Sequence, residues 1–193
     1  MKKLVLSMLL LAIALMMGAN ALAQDVGDNA AYFVTYFSNA NTKGAPNAVV
    51  RFINDGDTEN DLWADYYVFN DSQELEECCA CVVTPDGLNS EYVNTELTAN
   101  TVTGKALTRG VIKIISSSSY NPTYVVPTAG LRGFSTHVQA TGGSPAYSLT
   151  ETRVADSNLS ASEQYLLQNL CAYAEAIGSG QGVCTCTPED QDF

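Results

Sequence analysis

Positively charged residues are scarce in this chain. It has 9 Lys and Arg against 21 Asp and Glu, and its formal net charge is −12. A surface this negative repels the phosphate backbone of nucleic acids and the headgroups of anionic membranes. We therefore expect neither nucleic acid nor an anionic membrane surface as a partner.

Histidine and the common catalytic motifs are also scarce. The sequence has one histidine and no GxSxG elbow, phosphate-binding loop, HExxH motif or GxGxxG motif. His137 lies in an alternating segment, residues 133–138, where we interpret it as a strand side chain. A glycosidase would need one defined pair of carboxylates, and the sequence singles out none among its many acids. We predict that the protein is not an enzyme.

Long apolar runs are absent after the first residues of the chain. Lys2 and Lys3 precede an apolar run at residues 4–17, and Ala21-Leu22-Ala23 has the small residues of a cleavage site. This pattern predicts a secretory signal peptide over residues 1–23, cleaved before Gln24. Loss of the two lysines leaves 7 basic and 21 acidic residues, a formal charge of −14. We expect no membrane insertion after cleavage, and a location in the periplasm, at the cell surface or outside the cell.

The remaining residues, 24–193, are short enough for a single domain. About eight to ten short alternating or apolar runs are separated by turn residues, which is typical of strands. One helix is predicted at about residues 160–177, because Ser160 and Glu163 have capping-box spacing and Gly178 is a natural stop. Its apolar residues fall into two neighbouring sets: Leu166, Leu170 and Ile177, and Leu167, Cys171 and Ala174. The pattern predicts a mainly β fold, a single antiparallel β-sandwich with one C-terminal α-helix packed against it.

The central stretch, residues 61–88, has the clearest local pattern. We predict a strand at residues 63–69, one polar helical turn at residues 71–77, a strand at residues 78–84 and a turn at Pro85-Asp86-Gly87. Glu74, Glu76 and Glu77 would form the polar face of that helical turn. Further along, residues 91–97 alternate weakly and are a candidate strand.

This stretch resembles a group of uncharacterised exported bacterial proteins with a YVF strand, a Gln-Glu turn, an ECCxC segment and a VTPxGL segment. The matching residues here are Tyr67-Val68-Phe69, Gln73-Glu74, Glu77-Cys78-Cys79-Ala80-Cys81 and Val83-Thr84-Pro85-Asp86-Gly87-Leu88. The resemblance covers about a tenth of the chain. It implies an exported protein held together by cysteines, and it implies no activity.

Six cysteines form two distant groups, and an even number in an exported chain predicts disulfides. The groups are Cys78, Cys79 and Cys81, and Cys171, Cys184 and Cys186. This arrangement suggests bridges between the central hairpin and the C-terminal helix and tail, although six cysteines allow fifteen pairings. In each CxC pair the two cysteines would face the same side of an extended strand. A thiolate metal site is the alternative interpretation.

Acidic residues alternate through Asp55, Asp57, Glu59 and Asp61. They resemble a calcium loop, but Asn60 and Tyr66 stand where the EF-hand template needs Gly and Glu. A looser calcium site at the edge of a sandwich and a solvated hairpin turn both fit this pattern. No other cofactor is expected.

Two functions fit these features. The first is a structural or interaction protein of the cell envelope or extracellular matrix, one version of which is a self-assembling filament subunit of the donor-strand type. Its assembly strand would contain Tyr32, Phe33, Val34, Tyr36 and Phe37, which are apolar on both faces; an ordinary first strand is the simpler interpretation. The alternative is a carbohydrate- or small-ligand-binding module, calcium-dependent in one version, that uses an aromatic face. Its candidate residues are Tyr66, Tyr67, Tyr92, Tyr120, Tyr124 and Tyr147.

Overall fold

The computed structural model describes residues 30–187, so the predicted signal peptide, residues 24–29 and residues 188–193 lie outside the described range. Within it are nine strands and one α-helix. The strands are β1 (Tyr32–Ser38), β2 (Val49–Asn54), β3 (Leu62–Asn70), β4 (Leu75–Val83), β5 (Leu88–Tyr92), β6 (Arg109–Ser117), β7 (Leu131–Ala140), β8 (Tyr147–Arg153) and β9 (Ala155–Asp156). The helix, α1, is Ala161–Ile177.

The strands form two sheets. One is a five-stranded sheet in the order β4-β3-β6-β1-β9, and the other is a four-stranded sheet in the order β5-β2-β7-β8. All of these strand pairs are antiparallel. The predicted antiparallel β fold with a C-terminal helix is confirmed.

Alternation along the strands creates two separate cores. In β3, Tyr66 and Val68 belong to the main core, which also includes Phe52 of β2 and Leu131 of β7. The intervening Tyr67 belongs to a second core that includes residues of α1. Successive side chains of a strand point to opposite faces of its sheet. The five-stranded sheet is therefore covered on one face by the other sheet and on the opposite face by the helix.

The predicted helix begins and ends as expected. The Ser160 side chain accepts a hydrogen bond from the Glu163 N–H, and Ile177 is the last helical residue. Of the two apolar sets, the one that contains Leu167, Cys171 and Ala174 is buried. Leu166 and Ile177 in the other set are 48% and 49% exposed. The disulfide between Cys78 and Cys171 turns this face towards the sheet.

The helical turn predicted at residues 71–77 is wrong. The Asn70 carboxamide oxygen accepts hydrogen bonds from the Ser72 and Glu74 N–H groups, which stabilises a tight turn between β3 and β4. Strand β4 then begins at Leu75, so Glu76 and Glu77 are strand residues, and both are buried. The prediction failed because it assumed solvated carboxylates, whereas residues 100–103 supply hydrogen-bond donors to both side chains.

The candidate strand at residues 91–97 is only partly correct. Strand β5 ends at Tyr92, and Val93–Leu97 forms a short π-helical segment. The Tyr92 N–H donates to the Glu96 carboxylate, and the Thr98 hydroxyl donates to the Val93 carbonyl at 2.7 Å. The ladder with β2 reaches Tyr92 opposite Val49, and the Val93 N–H then donates to the Ala48 carbonyl at 2.9 Å before the chain coils into the π-helical segment.

Candidate functional site

Strand β8 forms an open edge of the four-stranded sheet. It pairs with β7 along one side, and no other strand in the described range pairs with its other side. The Val154 N–H donates to the Gly133 carbonyl directly opposite. Because hydrogen-bonded pairs alternate along an antiparallel ladder, the even-numbered residues of β8 face β7 through their backbone groups. The backbone N–H and C=O groups of Leu149 and Glu151 therefore point to the open side.

The side chains of β8 are mostly polar and exposed. Six of its seven residues are exposed, and Leu149 is 56% exposed. Glu151 forms an ion pair with Arg51 of β2 at 2.7 Å, and Arg153 forms one with Asp156 at 3.5 Å. The strand thus presents the outward backbone groups of Leu149 and Glu151 to solvent, and it carries one acidic and one basic side chain.

The opposite side of the sandwich is closed by the C-terminal tail, residues 182–187. The Cys78 N–H donates to the Gly182 carbonyl at 2.9 Å, and the Cys184 N–H donates to the Cys78 carbonyl at 3.3 Å. These bonds cover the edge of β4, which is the outermost strand of its sheet. Native proteins commonly protect edges in this way because exposed backbone groups pair with other chains.

Three disulfides hold the tail and the helix in place, which confirms the predicted disulfide framework. The bonds are Cys78–Cys171, Cys79–Cys184 and Cys81–Cys186. Cys79 and Cys81 lie on the same side of β4, as their spacing predicted, and each binds one cysteine of the tail. Cys78 lies on the other side and binds the helix. Each of the six sulfurs is bonded to one other sulfur, so none of these cysteines has a free thiolate that could bind a metal.

The tail also contacts the four-stranded sheet through a buried carboxyl group. Glu91 of β5 accepts hydrogen bonds from the Thr187 N–H at 3.0 and 3.1 Å and from the Asn89 side chain at 2.9 Å. Burial raises the pKa of Glu91 to about 8, the Asn89 and Thr187 donors oppose that rise, and nearby Glu96 adds to it. The tail therefore joins both sheets at this edge.

Two further carboxyl groups are buried without full hydrogen bonding. Burial raises the pKa of Glu77 to about 7, although the Asn100 N–H, which donates at 2.7 Å, opposes the rise. Neither carboxyl oxygen of Asp65 has a hydrogen-bond partner. Burial raises the pKa of Asp65 well above its ordinary value. Sequence reasoning did not identify these carboxyl groups as buried. The sequence of a strand does not show which distant residues will cover an acidic side chain or donate hydrogen bonds to it.

The calcium candidates do not converge. Asp57, Glu59 and Asp61 are exposed, and Asp55 forms an ion pair with Arg132 at 3.3 Å. Among residues 30–187, these carboxylates form no group of three with ligand atoms within 4.8 Å of one another. The Asp55 carboxylate instead accepts the Asp57 N–H, as in an ordinary turn.

The proposed assembly strand is β1, and its apolar character on both faces follows from its place in the fold. It pairs with β6 along its whole length and with β9 at Phe33 and Val34. Phe33 and Phe37 lie in the main core, and Tyr32 lies in the core under the helix. Tyr36 is exposed and stacks on the His137 ring. A role for β1 in assembly stays a prediction.

The candidate aromatic residues are dispersed. Tyr66 and Tyr67 are fully buried, and the Tyr67 hydroxyl donates to the Pro122 carbonyl at 2.6 Å. Tyr120 and Tyr124 are 76% and 69% exposed. His137 is a buried strand residue whose Nε2 lies 2.9 Å from the Thr152 hydroxyl, and burial lowers its pKa.

A polar cleft of about 570 Å³ lies at one end of the sandwich. Amide and hydroxyl side chains dominate its lining, which includes Asn41, Asn94, Thr95, Asn100, Thr101, Lys105 and Gln181. Several of these amides already hold loops in place; the Asn100 side chain, for example, donates to the Gly180 and Val183 carbonyls. None of the candidate tyrosines lines this cleft.

The fold and its edges define a disulfide-bonded protein with a β-sandwich and one covering helix. A scan of protein-family models and searches of curated proteins and of solved structures find no match to the chain. Within residues 30–187, no helix is long and apolar enough to cross a membrane.

The open edge is a feature that sequence reasoning did not identify. Strand β8 covers Tyr147–Arg153. Its lack of an apolar face, in the sequence YSLTETR, is the signal that would have placed it at the rim of a sheet.

Proposed function

We propose that this is an exported structural or interaction protein of the cell envelope or extracellular matrix, and that it binds a protein partner by strand addition to the open edge of β8. The single observation that carries this proposal is the contrast between the two sides of the sandwich. One side is closed by a tail that is held by disulfides, whereas β8 presents the outward-pointing backbone groups of Leu149 and Glu151. An extended segment of a partner would satisfy these groups.

The proposed location is supported by the predicted signal peptide and by the disulfides. Disulfides form and persist in oxidising compartments such as the periplasm and the extracellular space. All six cysteines lie in such bonds.

The proposal differs from a donor-strand mechanism that uses β1. Leaving its own sheet would cost β1 its pairing with β6 and would remove Phe33 and Phe37 from the core. We expect deletion of residues 24–37 to give an unfolded product. A soluble folded monomer from that deletion would favour donation of β1 instead.

Site-specific photocrosslinking in cells that export the chain tests edge binding. A photoreactive residue at Leu149 should form covalent protein adducts, whereas the same residue at exposed Tyr120 should form few. Glu151→Pro should abolish the adducts because it removes an outward N–H group without breaking the pairing with β7. Glu151→Ala, which keeps that N–H group, is the matched control and should retain them. Complete absence of adducts at Leu149 in exported protein would rule out the edge as a binding site.

The polar cleft favours a second candidate function, the binding of a carbohydrate or another small polar ligand. Its amide and hydroxyl groups can both donate and accept hydrogen bonds, as sugar hydroxyls require. A glycan array, with and without calcium, tests this function. Calcium-dependent binding that is lost in Asp57→Ala would support the calcium-dependent version, and calcium-independent binding that is lost in Thr95→Ala would place the ligand in the cleft.

A further inference from the structure

We propose that the polar cleft binds a short acidic saccharide of the uronic-acid class, and that Lys105 pairs with a carboxylate of that sugar. This inference rests on the second candidate function, since it names the ligand class of the same cleft. The volume of the cleft, about 570 Å³, lies within the range of about 300–1,000 Å³ that is typical of small-molecule sites.

The lining of the cleft differs in charge from the rest of the molecule. The chain has 21 acidic and 9 basic residues, yet the part of the lining that residues 30–187 supply contains one lysine, Lys105, and no carboxylate. Salt screens exposed charges that lie more than about 8 Å apart at physiological ionic strength. An anion in the cleft therefore interacts mainly with Lys105 and with the polar groups around it, and much less with the distant acidic surface.

Three carboxylates close to the cleft are already used within the fold. Glu76 and Glu77 accept hydrogen bonds from residues 100–103, and Glu96 accepts the Tyr92 N–H. None of the three lines the cleft. Their negative charge is therefore directed to donors of the protein itself, and the cleft is left without an acidic wall.

Lys105 is available to a ligand. Its side chain is exposed, and it has no hydrogen bond or ion pair with any residue in the range 30–187. Five basic residues of this range pair with a carboxylate: Arg51, Arg109, Lys113, Arg132 and Arg153. The remaining one, Lys43, lies two residues after Asn41, which also lines the cleft. A carboxylate on the ligand would give Lys105 the charge-assisted hydrogen bond that the protein does not supply.

The amide side chains of the cleft are held in positions that suit hydroxyl groups. The Asn94 side-chain carbonyl accepts the Asn41 N–H at 3.0 Å, which fixes the Asn94 NH₂ group as a donor. The Asn41 side-chain nitrogen donates to the Thr98 hydroxyl at 3.1 Å and to the Leu107 carbonyl at 3.0 Å, which leaves its oxygen as an acceptor. The exposed Thr95 hydroxyl can both donate and accept. A sugar hydroxyl also does both, so it can bond to fixed donors and acceptors together.

The cleft offers no ring on which a sugar could stack. No aromatic residue in the range 30–187 lines it, so the apolar face of a sugar gains little there. Affinity then comes from hydrogen bonds and from the charge of Lys105. These contacts favour an acidic sugar over the neutral sugar with the same hydroxyl groups.

Titration calorimetry of the purified mature protein tests this preference. The probes are short oligosaccharides of glucuronate, galacturonate and mannuronate, each beside its neutral parent of glucose, galactose or mannose. At least one acidic probe should bind about three- to tenfold more tightly than its parent, as expected for one exposed charge pair. Raising the NaCl concentration from about 0.05 M to about 0.5 M should reduce that difference because it shortens the screening length.

Substitutions locate the contact. Lys105→Met should remove the preference for the acidic probe, and Lys105→Arg should keep most of it. Arg51→Met, which removes the same charge from β2, is the matched control and should bind as the wild type does. Thr95→Ala should weaken the acidic and the neutral probe alike, because both would use the hydroxyl at that wall of the cleft.

The outcomes separate this inference from the function on which it rests. Equal binding of acidic and neutral probes that is lost in Thr95→Ala would overturn the acidic ligand and leave the cleft as a binding site. A preference for the acidic probe that persists in Lys105→Met would overturn the role of Lys105. Binding that is unchanged in Thr95→Ala, or no binding of any probe to the folded protein, would overturn both the inference and the cleft as a saccharide site.

Discussion

The buried carboxyl group of Glu91 should make the stability of this protein fall as the pH rises. The folded-state pKa is about 8 and the ordinary value is 4.5. Above pH 4.5 the unfolded chain releases this proton, whereas the folded chain keeps it until about pH 8. The unfolded state then binds fewer protons, so the free energy of unfolding decreases as pH rises through this window.

The size of this effect follows from the width of the window. One pKa unit corresponds to about 1.4 kcal/mol. Between pH 5 and pH 9, Glu91 should therefore lower the free energy of unfolding by roughly 4 kcal/mol. Glu77, with a pKa raised to about 7, should act in the same direction over a narrower window.

Substitution of Glu91 by glutamine isolates this contribution. The glutamine carbonyl can still accept a hydrogen bond from Thr187 or Asn89, but the side chain does not titrate. We expect Glu91→Gln to lose the decline that Glu91 causes and to keep the declines that come from Glu77 and Asp65. Exposed Glu59→Gln is the matched control and should follow the wild type.

Guanidinium chloride unfolding at pH 5, 7 and 9, followed by Trp63 fluorescence with the disulfides intact, measures these differences. The slope of free energy against denaturant should stay constant across the variants, because the surface exposed on unfolding is the same. Parallel pH curves for the wild type and Glu91→Gln would refute the conclusion that burial keeps this group protonated.

Two other perturbations have clear expected results. Gly133→Ala should destabilise the fold by about 1–3 kcal/mol, because its new Cβ would lie 2.6 Å from the Phe52 ring, whereas a Cβ at Gly143 would meet no atom within 4 Å. Thermal unfolding of Gly133→Ala beside Gly143→Ala measures this difference, and equal melting temperatures would contradict it. Limited reduction followed by alkylation and mass spectrometry should label Cys81 and Cys186 first, because Cys186 is the least buried cysteine in residues 30–187. Labelling of another pair first would show that burial does not control access.

Local patterns were reliable where neighbouring residues decide the outcome. The cap at Ser160 and the end of the helix at Ile177 depend on groups within one turn, and both are correctly predicted. The central turn at residues 71–74 is also local, but Asn70 decides its shape through bonds to Ser72 and Glu74. Acidic residues that suggest a polar helical turn were therefore misleading.

Contacts between distant segments could not be predicted from the same patterns. Cys79 and Cys184 are separated by 105 residues, and spacing alone does not choose this bond among fifteen pairings. The buried state of Glu77 depends on the distant Asn100 N–H. The open edge of β8 depends on the order of the strands, which alternation along one strand does not contain.

The sequence by itself determined the strand-rich class, the C-terminal helix and the shared side of Cys79 and Cys81, because backbone alternation and helix capping act over a few residues. Tertiary structure alone decided that the tail covers the edge of β4, that the edge of β8 stays open and which carboxyl groups are buried away from solvent. These properties depend on which distant segments meet, since burial and strand pairing belong to the assembled sheets and to no single segment.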